Sequence, residues 1–319
     1  YYLAQGPYNQ ALGLWYAGEK FSPEAKADVE AKVATMIDVY KSRLQTADWL
    51  APETREKAIT KLNVITPHIG YPEKLPETYD KKIIDENLSL VENAQKLVEI
   101  SVAHSWSKWN QPVDRSEWHM PAHMVNAYYD PQQNQIVFPA AILQAPFYDI
   151  AQSSSANYGG IGAVIAHEIS HAFDTNGASF DENGSLKNWW TEEDYAAFKE
   201  RTDKIVDQFE GLDSYGAKVN GKLTVSENVA DLGGVACALE AAKRDKDFSV
   251  REFFVNFATI WRMKAREEYM QMLASVDVHA PAKWRTNVIV SNFDEFHKEF
   301  DVKEGDGMWR APEDRVIIW

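Results

Sequence analysis

The sequence has almost no cysteine and no long apolar run. Cys237 is the one cysteine among 319 residues, so no disulfide can form within the chain. The longest run of apolar residues and glycine, Tyr158 to Ala166, is far shorter than the roughly 20 residues that a membrane-spanning helix needs. The sequence therefore excludes a disulfide scaffold, and we expect no membrane segment in this chain.

Basic side chains are also scarce relative to acidic ones. The chain has 33 lysines and arginines against 48 aspartates and glutamates, which gives a formal net charge of −15 at pH 7. A field of this sign repels phosphate backbones and anionic lipid surfaces, so we expect no nucleic-acid partner. Apolar residues make up 45% of the sequence, and no repeat or Gly/Ser linker divides it. This composition predicts one folded unit.

Helical patterns dominate the chain. Ser22 followed by Pro23 is typical of a helix N-terminus, and apolar residues follow at helical spacing up to Leu44. Five further segments have helical patterns or start signals: Pro52 to about Val64, about Glu86 to Trp109, Tyr158 to Phe173, Tyr195 to Phe209 and Phe253 to Leu273. Thr191 and Ser249 each precede an acidic residue by three positions, as in a capping box.

Strand patterns are confined to a short region. Met124 to Tyr129 and Gln135 to Phe138 are apolar or aromatic runs on either side of a polar turn, which predicts a β-hairpin. Three prolines between Thr66 and Asp85 predict a loop. The predicted fold class is therefore mainly α with a small β-sheet, that is, α+β.

The segment His167-Glu168-Ile169-Ser170-His171 is the strongest chemical motif. Residues four apart lie on one face of a helix, so both imidazoles can reach one metal ion. Glu168 projects beside them, where a carboxylate can accept a proton from water. A chance match and a pair of buried core histidines are the alternatives.

An acidic pair, Glu227 and Asp231, offers the remaining ligand. A catalytic zinc ion takes three protein ligands and keeps a fourth position open. Apolar residues surround the pair, so both carboxylates would be buried and would need a metal ion or a hydrogen-bonded partner. Glu227 as a ligand and Asp231 as the acceptor of a histidine N–H satisfy this requirement. We expect one Zn²⁺ per chain.

Several sequence blocks together resemble the catalytic half of the neprilysin family of zinc endopeptidases, in particular its bacterial endopeptidase O members. The blocks are Val125–Tyr129, Asn134–Ala140, Asn157–Gly162, His167–His171, Glu227–Asp231, and Asp277–Pro281 followed by Arg285. The resemblance implies a zincin fold, a thermolysin-like catalytic lobe that spans residues 1–319.

The resemblance also implies a role for each matching residue. His167, His171 and Glu227 correspond to zinc ligands and Glu168 to the general base. Asp174 and Asp231 correspond to acids that orient the histidines, and His279, held by Asp277, to the donor to the oxyanion. The catalytic set is thus Glu168, His279 and Asp231. The matching substrate-binding positions are Asn126, Ala127, Arg285, Ile142, Phe147, Val164, Ile260 and Trp261, of which the last five line an apolar pocket.

The implied function is hydrolysis of internal peptide bonds in oligopeptides, with a hydrophobic residue just after the cut. Family members are usually about twice as long, so the helices in residues 1–110 are expected to pack toward an N-terminal half that is missing here. The alternatives are a peptidase-like peptide-binding protein and an incomplete subunit that is inactive without that half. The lack of disulfide cysteines suggests a bacterial, cytoplasmic enzyme, although a first residue other than Met leaves secretion open.

Overall fold

The computed structural model describes residues 2–319, and α-helices make up most of its regular structure. In chain order the helices are α1 (Tyr2–Gln5), α2 (Asn9–Lys20), α3 (Pro23–Thr46), α4 (Pro52–Asn63), α5 (Leu90–Ser107), α6 (Ser154–Asn157), α7 (Ala163–Ser170), α8 (Glu192–Phe209), α9 (Gly221–Ala242), α10 (Val250–Ile260), α11 (Glu267–Val276), α12 (Ala282–Val290) and α13 (Asp294–Glu299). The predicted class, mainly α with small sheets, is confirmed. Within residues 2–319, no helix combines the length and apolar character that crossing a membrane requires.

The strands form two small sheets. They are β1 (Thr66–Gly70), β2 (Tyr128–Asp130), β3 (Gln135–Pro139), β4 (Asp213–Ser214) and β5 (Ala217–Lys218). β2 and β3 pair antiparallel, which confirms the predicted hairpin, and β1 pairs parallel with β3 on its other side. The two-residue strands β4 and β5 form a separate antiparallel pair.

The prediction of a loop from residue 66 was wrong over Thr66–Gly70, which is strand β1. Proline cannot donate a backbone hydrogen bond, so it is tolerated in edge strands, where one side of the backbone has no partner. β1 is an edge strand of the three-stranded sheet, and Pro67 therefore fits within it. Ile69 in β1 is buried in the core.

Helix ends follow the local capping chemistry. Ser22 Oγ accepts the Ala25 N–H, so α3 begins at Pro23 as predicted. α5 begins at Leu90, later than expected, because Ser89 and Glu92 form a capping box. The single helix predicted over 253–273 was wrong: residues 261–266 are not helical and separate α10 from α11. The amphipathic pattern continues through this break, which is why the sequence did not reveal it.

The helix pair α7 and α9 lies at the centre of the core. α9 also packs against α3, α8 and α12, so its central part is surrounded by other helices. Two glycines of α9 permit the close approach to α7. A Cβ atom on Gly234 would lie 2.8 Å from the backbone nitrogen of His167, and one on Gly233 would lie 2.8 Å from Ser170 Oγ. The two helices that carry the predicted metal ligands are therefore in direct backbone contact.

Candidate metal centre

The two histidines of the motif project from the C-terminal end of α7. His167 lies within the helix and His171 caps it. Their Nε2 atoms lie 3.0 Å apart and their rings are nearly perpendicular. The i,i+4 spacing of the helix thus brings both ring nitrogens to one point, as the sequence pattern predicted.

Glu227 of α9 reaches the same point from the opposite side. Its Oε2 atom lies 3.2 Å from Nε2 of His167 and 3.5 Å from Nε2 of His171. A tetrahedral zinc ion with ligand bonds of about 2.0–2.2 Å places its ligand atoms roughly 3.3 Å apart. The three donor atoms therefore have the mutual spacing that this ion requires. An oxygen of Glu168 also lies within 4.8 Å of a ring nitrogen of each histidine.

The environment of Glu227 is independent evidence for a cation. Its Oε2 atom is buried and has no aligned hydrogen-bond donor among residues 2–319. Burial raises the pKa of Glu227, but the imidazoles of His167, His171 and His279 outweigh it and hold that pKa well below its ordinary value. A largely buried carboxylate kept ionised beside imidazole nitrogens fits a bound cation. Nitrogen donors together with a carboxylate suit zinc.

Each histidine of the motif has a carboxylate behind it. His171 Nδ1 lies 2.5 Å from Asp174 Oδ2, and His167 Nδ1 lies 2.8 Å from Asp231 Oδ1, although this second N–H is poorly aligned with the oxygen. Burial lowers the pKa of His171, but Asp174 and Glu227 outweigh it and raise that pKa well above its ordinary value. Carboxylates in this position fix the ring orientation of metal-binding histidines.

Glu168 lies next to the donor cluster but does not share its ion pairs. Its side chain is buried at the cleft wall. Burial raises the pKa of Glu168, although the neighbouring imidazoles of His167 and His171 act against it. A carboxyl with a raised pKa is better suited to take up and return a proton than an ordinary exposed glutamate.

His279 and Arg285 approach the cluster from the chain that follows α11. His279 Nε2 lies 3.1 Å from Glu227 Oε2, and its Nδ1 lies 2.8 Å from Asp277 Oδ1. The Arg285 guanidinium donates two hydrogen bonds of 2.7 Å to Asp231 and stacks on the Trp261 ring. Burial raises the pKa of Asp231, but the adjacent Arg285 and His167 outweigh it and lower that pKa to about 2.

Most of the predicted substrate-binding residues line one cleft of about 500 Å³ beside this cluster. Asn126 and Ala127 lie at its rim, just before the edge strand β2. The other predicted residues that line it are Ile142, Phe147, Val164, Trp261 and Arg285. Ile260 does not line the cleft: it is buried at the end of α10, and its neighbour Trp261 occupies the wall instead. Two larger clefts of about 1000 and 700 Å³ contain none of the predicted site residues.

Sequence reasoning missed residues that complete the surroundings of Asp174. Its Oδ2 also accepts from Ser226 Oγ at 2.5 Å, and its Oδ1 accepts the backbone N–H groups of Asn176 and Gly177 at 2.8 and 2.7 Å. Ser226 precedes Glu227, so it links α9 to the chain that follows α7. Its position next to a candidate ligand was the one available signal.

A sequence model described as peptidase family M13 matches residues 126–316, and a second model with the same description matches residues 1–72. A putative zinc metalloproteinase of Streptococcus gordonii is 80% identical over 79% of this chain and 45% of its own length. A neutral endopeptidase of Lactococcus lactis subsp. lactis is 55% identical over 99% of this chain and 50% of its own length.

Solved structures of similar proteins have the same fold. PepO from Lactobacillus rhamnosis is 42% identical and superposes with a TM-score of 0.93 over 98% of this chain and 50% of that one. The zinc metalloprotease Zmp1 of Mycobacterium tuberculosis, solved with an inhibitor, is 38% identical with a TM-score of 0.91 over 99% and 50%. The chain thus spans about half the length of the relatives it matches.

Proposed function

The chain belongs to peptidase family M13, and on that premise we propose that it is the zinc-binding half of an endopeptidase that cleaves internal peptide bonds of oligopeptides. One observation carries the proposal: three donor atoms of His167, His171 and Glu227 lie 3.0–3.5 Å apart, with Glu168 beside them at an open cleft. Relatives named neutral endopeptidase and zinc metalloproteinase support it.

The residues of this chain would divide the chemistry as follows. His167, His171 and Glu227 hold zinc, while Asp174 and Asp231 keep the two imidazoles oriented. When bound, zinc lowers the pKa of water to about 7 and polarises a carbonyl group. Glu168 takes the proton from the attacking water and returns it to the leaving amine.

Other cleft residues would act on the substrate. His279, held through Nδ1 by Asp277, donates to the oxyanion that forms on the scissile carbonyl. Arg285 and Asn126 bind the peptide backbone, and the free edge of β2 allows an extended peptide to lie alongside it. The apolar cleft residues Ile142, Phe147, Val164 and Trp261 favour a hydrophobic residue just after the cut.

A second candidate function is that of a subunit that forms the zinc site but hydrolyses peptides only when a partner polypeptide is bound. The observation that favours it is an exposed apolar stripe on α5, defined by Val91, Val98, Val102 and Trp106, whose exposed fractions are 66%, 60%, 49% and 69%. Contiguous apolar patches on a surface mark interaction sites. We propose that the occupant is a polypeptide equivalent to the other half of the longer relatives.

The test combines zinc content with peptide hydrolysis. The chain alone, the chain mixed with the equivalent of the relatives' other half, and the two halves in one polypeptide are each assayed with a fluorogenic peptide. Peptides with leucine or aspartate after the scissile bond measure the hydrophobic preference, and Glu168→Gln is the inactive control.

Each proposal predicts a different result. The peptidase proposal expects one zinc per chain and hydrolysis that a chelator abolishes, faster for leucine than for aspartate. The subunit proposal expects zinc in all three samples but hydrolysis only when both halves are present. Zinc binding without hydrolysis in any sample would contradict both proposals and favour a peptide-binding protein. The absence of zinc would also contradict both proposals.

A further inference from the structure

A buried lysine on α4 contacts the segment that follows the histidine motif. Lys61 is only 1% exposed and lies on the buried face of α4 with Thr54, Ala58 and Leu62. No carboxylate lies within 4.0 Å of its ammonium group among residues 2–319. A buried charge without an ion-pair partner is costly, so its contacts need an explanation.

Three backbone carbonyls accept hydrogen bonds from the ammonium group, one for each of its three N–H donors. Lys61 Nζ donates to the oxygens of Ala172, Gly177 and Phe180 at 2.8, 2.8 and 2.7 Å. Burial lowers the pKa of Lys61 to about 7, with Asp174 acting against it. Donation to all three carbonyls requires the ammonium form, because only that form has a proton for each.

The three carbonyls belong to residues 172–180, the segment that carries Asp174. The Gly177 N–H donates to Asp174 while the Gly177 carbonyl accepts from Lys61. The turn is so tight that a Cβ atom on Gly177 would lie 1.7 Å from the His171 carbonyl oxygen. Lys61 therefore fixes the same turn that presents Asp174 to His171 Nδ1.

We propose that Lys61 is a positioning residue for the metal centre: it clamps residues 172–180 so that Asp174 stays directed at His171. Lys61 does not line the cleft, so it cannot touch a substrate there. It acts through Asp174, and loss of such an outer carboxylate contact typically weakens metal binding 10–100-fold. The proposal rests on the zinc site of the proposed function.

The first test measures zinc affinity by competition with a chromogenic chelator. Lys61→Met keeps most of the unbranched apolar stem and removes its donors, and we expect the zinc Kd to rise about tenfold. Lys61→Gln is a second variant whose shorter amide cannot reach three carbonyls. Leu62→Ala is the matched control, because Leu62 is buried on the same helix and donates nothing to the segment. It should lower the unfolding temperature and change the Kd less than twofold.

A double-mutant cycle tests whether Lys61 acts through Asp174. If it does, Lys61→Met combined with Asp174→Asn should bind zinc within twofold of Asp174→Asn alone. If the two substitutions lowered zinc affinity by factors that multiply in the double variant, the proposal would be overturned. A zinc Kd of Lys61→Met within twofold of the wild-type value would also overturn it.

Hydrogen exchange of the metal-free protein separates this inference from the proposed function. Lys61→Met should speed exchange of the Asn176 and Gly177 amides at least tenfold relative to the amides of α7, whereas Leu62→Ala should not. Uniform acceleration in both variants would overturn the clamp. A wild-type chain that shows the selective exchange effect but binds no zinc would refute the proposed function and leave the clamp standing.

Discussion

The candidate metal centre and the outer face of α5 differ in which side chains they bury and which they expose. Around α7 and α9, ionisable side chains are buried: Glu168, Asp174 and Asp231 are each at most 6% exposed. On α5, Val98 and Trp106 are 60% and 69% exposed, and the buried residues of this 18-residue helix are Asn93 and Leu97. The candidate metal centre therefore buries ionisable side chains, whereas α5 exposes apolar ones.

On the proposed function, each region would take something different from outside the chain: a cation at the metal centre and a polypeptide on the α5 stripe. The carboxylates and imidazoles of the candidate metal centre face one another, but Glu227 Oε2 has no aligned hydrogen-bond donor among residues 2–319, and a cation would complete the set. The α5 stripe has no such set, and an exposed apolar surface of this kind marks an interaction site. A substitution in the metal centre should therefore change zinc affinity and turnover. A substitution in the α5 stripe should change association with another polypeptide.

The largest expected effect is on turnover. Glu168→Gln removes the group that takes up the proton and keeps nearly the same shape, so kcat should fall roughly 10²–10⁴-fold. Zinc affinity should change less than threefold, because Glu227 supplies the carboxylate ligand. Hydrolysis of a fluorogenic peptide, with zinc content measured on the same samples, checks both. Normal turnover in the variant would mean that Glu168 is not the base.

The next effect is on metal binding. Glu227→Ala removes one of three proposed ligands and should raise the zinc Kd more than about 100-fold, beyond the range for outer contacts. Glu240→Ala, on the same helix but outside the cluster, is the matched control and should bind zinc like wild type. Chelator competition gives both constants, and equal constants would remove Glu227 from the ligand set.

Proton competition should distinguish the two regions within the wild-type protein. Burial lowers the pKa of both rings, but Asp231 and Glu227 at His167, and Asp174 and Glu227 at His171, outweigh it and raise both pKa values, so protons compete with zinc for the ring nitrogens. Apparent zinc affinity should therefore rise with pH, by about tenfold per unit for each proton released. Association through the apolar α5 stripe should vary much less. Zinc titrations between pH 6 and 8 test this, and an affinity that falls with pH would contradict it.

The smallest effect concerns the α5 stripe. Val98→Glu combined with Val102→Glu places charges on an exposed surface, so the unfolding temperature of the chain alone should change little. Binding to the equivalent of the relatives' other half should weaken about tenfold. Ser101→Glu, exposed on the same helix outside the stripe, is the control. Unchanged binding in the double variant would place the contact elsewhere.

The parts of the fold that depend on local pattern could be predicted from the sequence. The N-cap at Ser22, the β2–β3 hairpin and the i,i+4 histidines on α7 each follow from neighbouring residues. Glu227 could be inferred because a carboxylate within an apolar helix needs a partner.

Contacts between distant segments could not be predicted. Pro67 lies in a strand because β1 is at the sheet edge, a fact that depends on where β3 lies. Lys61 reaches carbonyls more than 110 residues away. Its signal was present, since Thr54, Ala58, Lys61 and Leu62 have the spacing of one helix face. A lysine in that pattern is usually taken as solvent-exposed, because its chain can extend to water.

Anomalous diffraction at the zinc edge from a crystal of the zinc-loaded chain tests the proposed ligand set most directly. We expect one strong peak bonded to Nε2 of His167, Nε2 of His171 and a carboxylate oxygen of Glu227, at about 2.0–2.2 Å from each. A zinc peak elsewhere, or no peak among these three side chains, would contradict it.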